Sequence, residues 1–472
     1  MNRSSRADGI APGYWKRARP AGVGSSVRDV SSDLAQKSFW LGADPYEPGP
    51  ALVGDVTVDV AIVGAGFTGL SAAYHLNQTD PGLRIAVLES EVVGYGASGR
   101  NAGFSMTKIG MMHSLTATRF GKAKAKEAHL YADRAVTLLK DLVAELDLDC
   151  DYEHTGFLWV ATSEKYSKRL LKEIALVHRL GITGINLIDH GELVARVNSP
   201  LYRGPAWSEP NTGILNPAKL SRAWGALLRG AGVPVYENTP VRSVEPGPGR
   251  QRIRTPHGTV TAGKVVLATN AWSHEFAQLA SKQVPVWTYI VLTEPLTDDQ
   301  LRTIGWRGRE GVEDFRDLVH YYRLTKDNRL LMGGRDVGLG DGRGMDFDDS
   351  PVTWERLRQD VRAIFPGLRD VRFSHAWGGP VSATLDMFPA IGFAGSPDIV
   401  YSMGCVGHGV STTHLNGQTI RDLVLERDTD LTDVFFVNRK VVPFPPGGLG
   451  HKVAERIAGF MRWEDRRLDV LG

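Results

Sequence analysis

The segment Asp59-Val60-Ala61-Ile62-Val63-Gly64-Ala65-Gly66-Phe67-Thr68-Gly69 constrains this chain more than any other. Its apolar, β-branched start reads as a buried parallel strand, and Leu70 to Leu76 reads as helix. Between them lie glycines in a G-x-G-x-x-G pattern. Gly64 permits the tight turn, Gly66 lets backbone approach an anion, and Gly69 lets helix and strand pack closely. The helix N-terminus offers free N–H groups to a pyrophosphate, with Phe67 and Thr68 in the turn as further cofactor-binding candidates. A second strand, Arg84 to Glu89, completes a βαβ unit and places Glu89, with Ser90 beside it, about twenty residues past Gly69. An acidic side chain there can hold a ribose hydroxyl pair, and an acid in place of a base argues against a 2′-phosphate. The chain is expected to bind a dinucleotide.

Gly94-Tyr95-Gly96-Ala97-Ser98-Gly99-Arg100-Asn101-Ala102-Gly103 follows directly. A nicotinamide dehydrogenase has no need of a second glycine-rich loop there. An FAD site does, because the flavin half extends across the domain and the pyrophosphate takes further backbone donors. Ser98 and Asn101 can add hydrogen bonds and Arg100 a charge; the alternative is an ordinary surface turn. A third loop, Gly404-Cys405-Val406-Gly407-His408-Gly409, joins the short strand Ile399–Met403 to a helix running from Val410 to Leu425. Its helix N-terminus suits the negative charge of a reduced flavin, and Gly407, Gly409 and Val410 let the chain lie against a ring. His408 adds a donor or a positive charge there, or is structural in its turn. Glycine overall is 53 of 472 residues, about 11% against an average near 7%.

The stretches VDVAIVGAGFTGLSAAYHL, GYGASGRNAGF, YYRLTKDNRLLMGG and YSMGCVGHGVSTTHL, in that order, resemble the D-amino-acid oxidase-like (DAO) superfamily of FAD-dependent amine oxidoreductases. The likeness spans about Phe39 to Leu425 and is nearest to γ-glutamylputrescine oxidase-type members. It implies an α/β fold in which a Rossmann-type FAD-binding domain carries an inserted α+β substrate domain built on an antiparallel sheet. The expected boundaries are 39–115, 200–275 and 388–430 for the FAD domain and 150–199 with 276–387 for the substrate domain. A disordered or docking arm is expected over 1–38 and a C-terminal extension over 431–472. The resemblance also places an adenine-side backbone contact at Val241 and a cofactor wall at Ala268-Thr269-Asn270. It implies oxidation of a primary or secondary amine to an imine that hydrolyses to an aldehyde and an amine or ammonia, with O2 reduced to hydrogen peroxide.

Departures from that pattern bear on substrate. Glycine and D-amino-acid oxidases grip the substrate carboxylate with an arginine on the strand before the final flavin loop, where guanidinium meets carboxylate in a bidentate geometry. Here that strand reads His375-Ala376-Trp377-Gly378-Gly379-Pro380-Val381, with Val381 at the arginine's place. Sarcosine oxidases attach FAD through a cysteine near the position of Gly379; no cysteine stands there, so FAD is expected to be noncovalent. Those relatives also carry a lysine on the strand matching Leu330-Leu331-Met332, which aids reaction with oxygen. Lys108 is a candidate to compensate, or to bind an anionic group, or is an exposed lysine. Tyr321 matches a substrate tyrosine of the family. Alternation puts Tyr321 and Arg323 on one strand face and His320 and Tyr322 on the other, so His320, Tyr321, Arg323 and Trp377 are substrate-binding candidates and His408, Tyr321 and Lys108 catalytic ones. For Tyr321 the alternative is plain aromatic strand packing.

Elsewhere the pattern gives helices over Ala123 to Leu146, Lys165 to Leu180 and Thr353 to Phe365, and one from an Asn216 cap and Pro217 to about Arg229, stopping at Gly230 and Gly232. Strands are expected at Thr155 to Thr162, Val241 to Val244, Gln251 to Thr255, Thr259 to Ala268, Val284 to Thr293 and Val319 to Gly333, then a glycine-rich loop from Gly333 to Gly344. Lys+Arg 55 against Asp+Glu 53 is too balanced for nucleic-acid binding by bulk charge. Two cysteines, Cys150 and Cys405, exclude a disulfide framework and a Cys-rich metal site, and no metal is expected. No apolar run is long enough for a membrane span, and the N-terminus lacks a secretory h-region, so the cytoplasm is the expected compartment. The partners expected are a small amine and O2 or another electron acceptor, with the oligomeric state open. An aminophosphonate or N-methyl amino acid as substrate, with Lys108, Arg323 or Arg335 meeting the anion, is one alternative. A dehydrogenase that docks a protein acceptor on its N-terminal arm, through Trp15 and Trp40, is another, and a non-catalytic FAD scaffold a third. The purified protein is expected to be yellow, or to take up added FAD with the absorption spectrum of a bound flavin; a colourless chain that ignores FAD defeats the whole reading.

Overall fold

The structure, a computed structural model, describes residues 30–247, 249–340, 344–445, 449–468 and 471. The apolar runs read from the sequence become the centre of one sheet. Its order is Ala390–Phe393, Ile399–Met403, Gly258–Leu267, Val56–Val63, Ile85–Leu88, Val235–Tyr236, with Gln251–Thr255 and Ser243–Glu245 continuing beside Gly258–Leu267. The strands from Ile399–Met403 to Val235–Tyr236 are parallel. Both faces of such a sheet are covered, which is why its strands carry unbroken apolar residues. Val60, Ile62, Val87 and Val266 pack under the helices Phe67–Thr79, Lys122–Glu145, Pro217–Gly230 and Gly409–Val424. Ala61, Val63, Ala86 and Leu88 pack on the other side with Ile253, Val260 and Tyr401.

The second sheet runs Phe373–Ala383, Val284–Thr293, Leu330–Leu339, His320–Leu324, Gly311–Asp314, Phe157–Val160, Ala206–Glu209, Asn186–Ile188. Its neighbours are antiparallel except Gly311–Asp314 on Phe157–Val160. Here the sequence reading needs three corrections. The single strand expected over Val319 to Gly333 is a hairpin turning at Thr325–Arg329, where the Thr325 hydroxyl and backbone bond across the turn. Gly333 and Gly334, expected to open a loop, lie within a strand instead; residues 341–343 of that expected loop lie outside the described residues. Both glycines answer to close approaches. A Cβ on Gly333 would meet the Tyr321 ring at 2.3 Å, and one on Gly334, whose φ is +99°, would meet the Val319 carbonyl at 1.8 Å. Ala206–Glu209, expected in the FAD domain, pairs into this second sheet.

The arm is also corrected. Trp15 lies outside the described residues, but Val30–Lys37 is helical and Trp40 is buried, its Nε1 donating to the Asn101 carbonyl at 3.0 Å. The C-terminal stretch packs too: Phe436 joins the helix-side core and the helix Leu449–Leu468 lies on the second sheet. The Asn216 cap is present, its Oδ1 accepting from Lys219 N at 3.1 Å.

One buried carboxylate holds the edge of the first sheet. Glu237, fully buried, accepts from the Tyr46 hydroxyl at 2.8 Å, from Val93 N at 2.6 Å and from Gly49 N. It thereby fixes the turn between Glu89 and the second glycine loop. Glu237→Ala leaves the buried Val93 N and the half-buried Gly49 N unpaired and is expected to cost about 3 kcal/mol of unfolding free energy in urea titration.

Candidate active site

The three glycine loops meet at the carboxyl ends of the parallel strands, where open α/β sheets hold ligands. They line one groove, of about 220 Å³, together with Val241 and Ala268. The backbone there is closely fitted. A Cβ on Gly64, whose φ is +104°, would stand 2.7 Å from the Ala268 carbonyl, and one on Gly69 only 2.0 Å from the Gly64 carbonyl. Ser98 turns inward and accepts from Phe67 N at 2.9 Å, joining the first loop to the second. Neither helix that starts here, at Phe67 or at Gly409, is capped by the side chain of its own N-cap residue, so apart from Phe67 N, which Ser98 takes, their first-turn N–H groups are left open. Glu89 sits at the strand end with Oε2 accepting from Ala65 N at 2.8 Å. Burial raises its carboxyl to about 7, against the backbone donors that lower it.

Of the residues expected at the cofactor, Gly64, Gly66, Phe67, Thr68, Glu89, Ser90, Gly96, Ala97, Ser98, Asn101, Val241, Ala268, Gly407, Gly409 and Val410 line this groove. Gly69 instead serves helix packing. Arg100, Ala102 and Gly103 border the neighbouring cavity. The charge of Arg100 is not free for a phosphate: its Nη1 meets Asp348 at 2.9 Å and its Nε donates to the Tyr95 carbonyl at 2.8 Å. Sequence reasoning missed Trp272, Arg242 and Asn416, which also line the groove. A Cβ on Gly96 would stand 3.1 Å from Trp272, a contact that no local pattern announces.

The second cavity, of about 230 Å³, opens from the groove, and Ala97, Asn101, Val381, Gly407 and Val410 border both. Tyr321, Lys108 and His408 lie in its wall. Tyr321 stays a phenol, pushed up to about 12 by burial. Lys108 is not an exposed lysine: its Nζ pairs with Glu313 at 2.7 Å and lies 4.4 Å from the Trp159 ring centre. Glu313, on the strand Gly311–Asp314 that no local pattern announced, was missed. Burial holds His408 well below the usual histidine range, and the Lys108 charge adds to this, so it supplies no positive charge. Its ring bonds the Gly110 carbonyl while Nδ1 has no partner.

His320, Arg323 and Trp377 do not border this cavity. His320 lies on the opposite strand face, bridging Asp314 at 2.7 Å and Asp360 at 3.0 Å; burial opposes its charge but the two carboxylates prevail and raise it to about 9. Arg323 is buried against the Trp40 ring at 5.2 Å, and Trp377 Nε1 donates to the Arg100 carbonyl at 2.8 Å. Leu330, Leu331 and Met332 are fully buried core. No group of His, Cys, Asp or Glu among the described residues could hold a metal ion.

The sequence that builds this groove matches a known family. Residues 59–423 match DAO, FAD dependent oxidoreductase. The chain belongs to this family. It is 33% identical over 413 residues to gamma-glutamylputrescine oxidoreductase of Escherichia coli (strain K12), covering 87% of this chain and 93% of that protein. It is 26% identical to glycine oxidase of Bacillus licheniformis over 392 residues, 81% of this chain and 97% of that one. The crystal structure of glycine oxidase from Geobacillus kaustophilus shares the fold, with a TM-score of 0.68 at 21% identity over 81% of this chain and 99% of that chain. The cofactor of this FAD dependent oxidoreductase is therefore FAD, and the residues present fit it: a groove with two uncapped helix N-termini for phosphate and flavin charge, and a carboxylate that could accept from a ribose diol. Only the ionised form of Glu89 accepts two such bonds. FAD uptake by the apoprotein is expected to tighten as pH rises through about 7, and Glu89→Gln to weaken it about tenfold and flatten that dependence in equilibrium dialysis.

Proposed function

We propose that the protein oxidises a primary or secondary amine at the carbon bearing nitrogen, giving an imine that water hydrolyses to an aldehyde and an amine or ammonia. The observation that carries this reading is the state of the second cavity's cations. Lys108 is paired with Glu313, Arg100 with Asp348 and Arg335 with Asp360, while Val381 stands where the two cavities join. A carboxylate or phosphonate entering this cavity finds no unpaired cation among its described lining residues, which weighs against an amino acid or aminophosphonate. An amine finds acceptors.

Bound FAD supplies the two-electron acceptor for the C–H bond next to nitrogen. The protein's part is positioning. Tyr321 can donate to a polar atom of the substrate, since it holds its proton throughout the working range. His408 Nδ1, which has no hydrogen-bond partner, can accept from the amine N–H when the ring proton sits on the other nitrogen. The Lys108–Glu313 pair keeps that wall electrically neutral, so a neutral amine is not penalised there. The groove's cysteine is Cys405, whose thiol donates to Asn270 Oδ1 at 3.4 Å, and Gly379 has no side chain to attach; both favour noncovalent FAD. The substrate class favoured is an ω-amine or secondary amine with a distal polar group, such as a γ-glutamyl-polyamine, with oxygen reduced to peroxide.

Anaerobic mixing with a panel of amines is expected to bleach the bound flavin at a rate that rises with pH as the amine loses its proton. Tyr321→Phe is expected to lower the apparent second-order rate about tenfold without altering that pH profile. Failure of every amine to bleach it defeats the reading, and peroxide release in air decides the acceptor.

A further inference from the structure

We infer that the C-terminal helix Leu449–Leu468 is the wall that selects substrate by length, with Met461 as its specificity-determining residue; this rests on the amine reading above. The helix lies beyond the span matched by the family, which ends at residue 423. Yet Met461 lines the second cavity, beside Leu318, Val319 and Val337. None of these four borders the cofactor groove, whereas Val381 and Gly407 border both cavities.

The helix is tied to the same residues that shape this part. Asp465, buried, accepts from Asp317 N at 3.0 Å and Leu318 N at 2.9 Å, and also takes the Tyr166 hydroxyl. Arg462 Nε meets Asp336 at 2.7 Å and its Nη2 donates to the Val337 carbonyl at 3.1 Å. Arg169 bridges Asp317 at 2.7 Å and Glu464 at 3.2 Å. Arg335 reaches the Leu471 carbonyl at 2.7 Å. Asp317 and Asp336, which line the cavity, are thus held by arginines, and the surface left between them is the apolar set around Met461. A methylene chain suits that surface, and an unbranched thioether adapts to its end. An amine whose chain reaches this apolar set meets Met461; a shorter one does not.

The test uses the full-length holoenzyme and a series of primary n-alkylamines and terminal diamines of rising length. Binding is read from the visible difference spectrum of bound FAD without oxygen, so an amine that binds without reacting is still scored. Met461→Trp is expected to weaken the longest amines about tenfold while leaving the shortest within about twofold, and Met461→Ala to shift the preference toward longer chains. Equal weakening at every length, or an unchanged length dependence in both variants, overturns the inference while leaving amine oxidation standing. A flavin that responds to no amine of any length overturns both.

Discussion

Two helices separated by more than three hundred residues cross at a contact with no room for a side chain. A Cβ on Gly417 would stand 2.2 Å from Ser71 Oγ, and that hydroxyl donates to the His414 carbonyl at 2.8 Å. The crossing fixes the helix Phe67–Thr79 against Gly409–Val424, and so brings both uncapped N-termini to one groove. Around it the parallel sheet supplies strand ends at which the chain turns. Without that contact the first and last glycine loops have no common address, and positive potential from two helix ends would not converge on one anion.

A second constraint is electrical. The cavity beside the groove is lined by charged residues, yet its cations are matched by carboxylates within ion-pair distance. Buried charges cost heavily unless paired, and pairing them consumes the groups that could otherwise grip a charged substrate. What remains are a phenol, a neutral imidazole and apolar surface. The cavity's chemistry follows from which charges are already spoken for, rather than from which residues are present.

This explains where reading the sequence succeeded. The central parallel strands Val56–Val63, Ile85–Leu88, Gly258–Leu267 and Ile399–Met403 were legible because burial on both faces demands unbroken apolar runs, and the glycine loops because backbone approach demands glycine at fixed spacing; the short edge strands Val235–Tyr236 and Ala390–Phe393 were not. Asn216 before Pro217 announced its helix for a local reason as well. The hairpin at Thr325–Arg329 was hidden, because Lys326, Asp327 and Asn328 interrupt a continuous aromatic and aliphatic pattern by only a few residues. Ala206–Glu209 was misassigned since its partner strands lie elsewhere in the chain. Trp40 reads as a docking aromatic until the Asn101 carbonyl is found to receive its N–H.

Residue type and spacing alone therefore determined three glycine loops at strand-to-helix turns, the arrangement a dinucleotide site requires, since those requirements are local to each turn. Which charges are free was decided only by the tertiary structure. Arg100, Lys108, His320 and Arg335 each look available in the sequence, yet Arg100 and Lys108 are committed to carboxylates more than two hundred residues away, and His320 and Arg335 share Asp360 on the helix Pro351–Ile364. Ion pairing depends on distance in space, and no periodicity records which strand will carry the partner.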